Sequence, residues 1–115
     1  MTRIRYDEER LRLEMEGHAG AAPAGEDLVC AAASMLWLTL RENLSGERAV
    51  RELQPVFIEG DGRRCAECYP ADEESEGWAR AIFRVIGTGL RLLAESFPQY
   101  VSFEEAGGYT WETET

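Results

Sequence analysis

Gly17-His18-Ala19-Gly20-Ala21-Ala22-Pro23-Ala24-Gly25-Glu26-Asp27-Leu28-Val29-Cys30-Ala31-Ala32-Ala33-Ser34-Met35-Leu36-Trp37-Leu38-Thr39-Leu40 leaves an extended segment, crosses small residues and enters a helix. Gly20, Pro23 and Gly25 interrupt both strand and helix, so the spacing predicts a loop there. Asp27 is a favourable N-cap for a helix from about Leu28 to Asn43, with Gly46 near its end. That helix is apolar on nearly every face. It therefore needs cover on more than one side, from a sheet on one and a second helix or a second subunit on the other.

Working outward supplies both covers. Upstream, Ile4 and Tyr6, then Leu11, Leu13 and Met15, alternate with polar residues around Asp7-Glu8-Glu9, which reads as a hairpin. Downstream, Val56 and Ile58, then Cys65, Glu67 and Tyr69, form two short strands about the turn Gly60-Asp61-Gly62. Asp72-Glu73-Glu74-Ser75-Glu76 opens a second helix, where negative charge suits the dipole, and Pro98 stops it. Along it Trp78, Ile82, Val85, Ile86, Gly89, Leu93 and Phe97 draw one apolar stripe, and Gly89 leaves room for a neighbour to come close. Tyr100, Val101 and Phe103 make a last strand. The expected fold class is α/β (α+β): a small sheet of about five short strands with two helices on one face, in the order β-β-α-β-β-α-β. One domain spans residues 1–115, with a polar C-terminal tail from about 106 to 115.

Charge narrows the partners. Twelve basic residues, all arginine, against twenty-two acidic ones give a formal charge of -10, which repels phosphate backbones and anionic lipid and attracts basic partners. Nucleic-acid binding and membrane binding are not expected. The longest apolar run, Leu28 to Leu40, is broken by Ser34 and Thr39 and falls short of the roughly 20 residues of a membrane span. Met1-Thr2-Arg3-Ile4-Arg5-Tyr6 holds no apolar signal core, so a reducing, cytoplasmic setting is expected. Three cysteines in that setting point to catalysis, metal or core before disulfides.

His18 is the only histidine, and Cys30 follows twelve residues later. With Asp27 as N-cap, Cys30 is the third residue of the helix. There the positive helix end favours a thiolate, and unpaired N–H groups are available to an oxyanion. Glu26 and Asp27 oppose the first effect. An imidazole across a small-residue loop is a suitable general base and acid for that thiol. Ser34, one turn beyond Cys30, lines the same face. The plainer reading is a hydrogen-bonded structural histidine and a small core cysteine.

Cys65-Ala66-Glu67-Cys68 offers a competing chemistry. With His18 and Cys30 it completes a Cys₃His set, although only one pair is close in sequence and residues three apart in a strand face opposite sides. Without metal, one of the pair is a core residue and the other a surface residue. No phosphate-binding glycine loop is present, and no metal or cofactor is expected.

Gly17-His18-Ala19-Gly20, Gly25, Asp27, Val29-Cys30-Ala31-Ala32 and Ser34 also resemble the signature of the ribosomal-processing cysteine proteases, the Prp family, including the twelve-residue step from His to Cys. The resemblance extends more weakly through the second helix to Phe97-Pro98-Gln99-Tyr100-Val101. It implies a small homodimeric α/β endopeptidase that removes a short N-terminal extension from a basic large-subunit ribosomal protein, number 27 in the L series. Cys30 would be the nucleophile and His18 the base, with Gly17, Gly20, Gly25, Asp27 and Ser34 supporting the site and its loop. Ala21, Pro23 and Ala24 depart from the bulkier or more polar residues expected in that loop. The alternative is a catalytically silent acidic dimer that binds a ribosomal protein or an assembly factor.

Overall fold

In the computed structural model of this chain, residues 1–17 and 24–106 are described, with backbone alone for 24–27. The elements are β1 (Thr2–Asp7), β2 (Arg12–Glu16), α1 (Ala24–Ser45), a 3₁₀ turn (Arg51–Leu53), β3 (Pro55–Gly60), β4 (Arg63–Cys68), α2 (Glu73–Ser96) and β5 (Val101–Ala106). This is the expected order of strands and helices. The sequence-expected tail beyond residue 106 lies outside the described residues.

The five strands form one mixed sheet in the order β3-β4-β2-β1-β5. β1, β2, β4 and β3 pair antiparallel, whereas β5 pairs parallel to β1 with Ile4 opposite Phe103. Two turns define the antiparallel register. Asp61 and Gly62 link β3 to β4 with φ of 50° and 75°, the two left-handed residues of a tight hairpin. In the β1–β2 connection Glu8 accepts from Arg80 and Arg84 of α2, which ties that turn to the second helix.

Period-two alternation sends Ile4, Tyr6, Leu13, Met15, Ala66, Cys68 and Val101 into the core beneath the helices. α1 meets them with Val29, Ala33, Trp37, Leu40 and Leu44. Trp37 is anchored at both ends: its ring packs edge-on against Phe57, and its Nε1 donates to Glu59 at 2.9 Å. The far face of the sheet carries a charged lattice instead, in which Arg12 and Arg63 hold Glu14, and Arg12 also holds Glu67 at 2.9 Å.

α2 begins as its sequence predicts, with Asp72 and Ser75 forming a reciprocal capping box. Its buried face differs from the predicted stripe. Ser75, Ala79, Phe83, Ile86, Gly87, Leu90 and Ala94 are buried, while Trp78 and Val85 are 55% and 69% exposed. Small residues decide the rotation, because Gly87 lets the Tyr6 ring approach to within 3.1 Å of where a Cβ would stand. Gly89 does admit a close neighbour, the Leu36 side chain of α1. The outer face of the helix layer is consequently apolar and not covered by other described residues, with Leu28, Met35 and Leu38 exposed on α1 and Trp78, Val85 and Leu92 on α2.

Candidate active site

α1 begins at Ala24, earlier than the expected start at Leu28. Asp27 is therefore inside the helix and is not its N-cap, and Cys30 is the seventh helical residue. Its N–H belongs to the i to i−4 ladder and is not one of the free donors of the first turn. The physical reason is modest. Gly25 costs a helix only about 1 kcal/mol, and an acidic pair in the first turns suits the dipole, so the glycine does not hold the helix off. The helix-end account of thiolate and oxyanion stabilisation at Cys30 is thus replaced by what surrounds the thiol.

Cys30 is half-buried in a cleft of about 70 Å³ whose lining includes Thr2, Glu16, Gly17, Ser34, Gly62 and Arg64. Thr2 Oγ1 stands 4.0 Å from Cys30 Sγ. One turn along α1, Ser34 Oγ accepts from Arg64 Nη1 at 3.2 Å. The predicted Ser34 accordingly shares the cleft with Cys30. Thr2 and Arg64 were not identified from sequence, since neither has a motif. Alternation along β1 and β4 would have placed both on the helix-facing side.

Gly17 closes the cleft at the end of β2. Its N–H donates to Gly62 O at 3.0 Å, and its φ of 149° is favoured only by glycine. A Cβ there would lie 2.5 Å from Met1 O. The chain therefore leaves β2 pressed against β1 and the β3–β4 turn. His18 and Gly20 lie outside the described residues, Gly25 is described as backbone within α1, and the side chain of Asp27 lies outside the described part.

The other thiols are placed differently. Cys68 is 3% exposed in the core, and burial pushes its pKa up to about 11. Cys65, 2% exposed, sits on the opposite sheet face, paired in register with Glu14, and burial raises its pKa as well. The expected surface member of this pair is thus also buried, because the charged lattice covers the outer face. Among the described residues no three His, Cys, Asp or Glu side chains converge as a metal site. No helix of the described residues is long and apolar enough to cross a membrane.

Comparison with known proteins bears on what such a cleft does. No curated protein matches the chain. Among solved structures, SMU.848 from Streptococcus mutans superposes with a TM-score of 0.67 at 23% identity, covering 93% of each chain. The essential ribosomal processing protease Prp from S. aureus, in complex with a substrate peptide, gives 0.74 at 18% identity, covering 92% of this chain and 100% of that one. The same protease with a covalently linked product peptide gives 0.72 at 20%, with the same coverage. These similarities establish the shared fold. The profile of the cysteine protease Prp family matches residues 1–102, and the chain therefore belongs to that family of cysteine proteases.

Proposed function

We propose that this chain is an endopeptidase that removes a short N-terminal extension from a basic large-subunit ribosomal protein, number 27 in the L series. Cys30 is the nucleophile and His18 its general base and acid. The observation that carries this reading is the position of Cys30: alone among the three thiols it opens into a cleft, in a chain of the cysteine protease Prp family. The imidazole takes the thiol proton, and sulfur attacks the scissile carbonyl. The imidazolium then returns a proton to the leaving amine, and water hydrolyses the thioester, regenerating the thiol. Water is the only co-substrate, so no cofactor is needed.

A broader concavity of about 720 Å³ adjoins the cleft across Glu16 and Gly17, which gives an extended peptide room beside the thiol. The net charge of -10 favours a basic substrate and disfavours nucleic acid and anionic membrane surfaces. The ribosomal assignment draws support from the S. aureus relative, a ribosomal processing protease solved with a substrate peptide. The chain acts in the cytoplasm as one domain and as a homodimer, its exposed helix face giving the second copy an apolar surface to cover. Gly17, Gly20 and Gly25 shape the loop, with Asp27 and Ser34 in supporting positions.

The test is cleavage of a peptide spanning the extension and the first mature residues of that ribosomal protein. Cleavage is expected from the wild type and is expected to vanish in Cys30→Ala and in His18→Ala. Retained cleavage in either variant excludes the dyad.

A further inference from the structure

Nine of the twelve arginines hold a carboxylate within ion-pair distance. Of the remaining three, Arg48 and Arg51 are exposed, and Arg64 alone is half-buried. Its contact among the described side chains is the neutral Ser34 hydroxyl, 3.2 Å from Nη1. A guanidinium presents five donors in a rigid planar fork, and one hydroxyl satisfies only one of them. No buried side-chain nitrogen or oxygen among the described residues is left without a partner, so the remaining N–H groups of Arg64 are not sealed off from solvent. In a protein with a large excess of acid, a half-buried cation that forms no ion pair with a described carboxylate, although Glu16 lines the same cleft, is available to an incoming one.

The position gives that availability a use. Ser34 and Cys30 are four apart on α1, which puts their Cβ atoms about 5–6 Å apart on one face. The fork is held at Ser34, on a wall of the same cleft as the thiol. Resting on the protease reading above, we propose that Arg64 is a specificity-determining residue that receives a peptide carboxylate next to the scissile bond. A carboxylate accepts two parallel N–H bonds from such a fork, which a carbonyl cannot match in charge or a hydroxyl in geometry. Two sources present this chemistry: an acidic side chain of the substrate, or the new C-terminal carboxylate of the released extension. The Ser34 hydroxyl fixes the fork so that little side-chain freedom is lost on binding.

Binding to the full-length Cys30→Ala chain, read by fluorescence anisotropy, tests this without requiring turnover. One set of peptides spans the cleavage region with Glu or Gln placed at each position in turn. A second set ends at successive residues in a free carboxylate or an amide. At one position Glu is expected to bind roughly tenfold tighter than Gln, or one free terminus tenfold tighter than its amide, as suits a charge-assisted bidentate pair. Which set responds identifies the source. In Arg64→Gln the preference should disappear, and Arg64→Lys should restore part of it. Ser34→Ala, which releases the fork, should shrink it. Unchanged circular dichroism establishes that the variants are folded. Equal affinities for every pair in the Cys30→Ala chain, a preference unchanged by Arg64→Gln, or no peptide binding would each overturn the assignment. Charge discrimination in a chain whose wild type cleaves nothing would support Arg64 and remove the protease reading instead.

Discussion

Thr2 Oγ1 and Cys30 Sγ lie 4.0 Å apart although 28 residues separate them in sequence. The contact joins the first strand to the start of the first helix. Thr2 is held from the other side, its N–H donating to Tyr100 O at 2.8 Å just ahead of β5. The wall behind the thiol is thus built from β1, α1 and the chain entering β5, and the surroundings of Cys30 depend on assembly of the whole sheet.

Access and burial predict an order of thiol reactivity. Near neutral pH iodoacetamide should modify Cys30 at least about tenfold faster than Cys65 or Cys68, which are buried and held as thiols by raised pKa values. Peptide mapping by mass spectrometry over a time course gives the three rates. Equal rates would count against Cys30 as the accessible nucleophile.

Gly17→Ala combines an unfavourable φ with a Cβ driven against Met1 O. A loss of about 1–3 kcal/mol from backbone strain alone is expected, with more from the clash. Denaturant unfolding measures it. Cleavage should fall further than stability does, because this residue delivers the chain to His18.

Acid should weaken the link between the β1–β2 turn and α2. The hydrogen bond from Arg84 holds the Glu8 carboxyl below its ordinary 4.5. A depressed folded pKa gives stability that is fully present above pH 4.5 and is lost as pH falls through the lower, folded value. Thermal melts from about pH 6 to about pH 3 should show the advantage of wild type over Glu8→Gln shrinking across that window. A constant difference would remove Glu8 as the source.

The uncovered helix face predicts the oligomer. Val85→Glu places a charge among Trp78, Ile82 and Thr39 on the outer surface of α2 and α1. Sedimentation velocity should report a dimer for wild type and a monomer for the variant, with unchanged circular dichroism. A dimer that survives this substitution would have to use another face.

Several features were legible in one dimension because they depend on neighbouring residues. Period-two alternation marked β1, β2 and β4, the Gly60-Asp61-Gly62 turn marked the β3–β4 hairpin, and the acidic run from Asp72 to Glu76 marked the start of α2. The Gly17-to-Ser34 pattern supplied the family, and the family match over residues 1–102 agrees with it.

Long-range packing settled the rest. The parallel pairing of β5 with β1 joins opposite ends of the chain, and no local signal encodes it. α2 brings Gly87 against Tyr6, so the buried face runs through Phe83, Ile86 and Leu90, while Trp78, Val85 and Phe97 of the expected stripe face outward. α1 begins earlier than its apparent cap, which moves Cys30 from the helix end into the second turn. Thr2 and Arg64 carry no motif, and they become part of the cleft only when β1 and β4 are laid beside α1. Residue types singled out Cys30 as the candidate nucleophile, since a thiol twelve residues beyond the only histidine is visible in sequence; its neighbours were chosen by the sheet, because contacts across 28 and 30 residues exist only once the strands have paired.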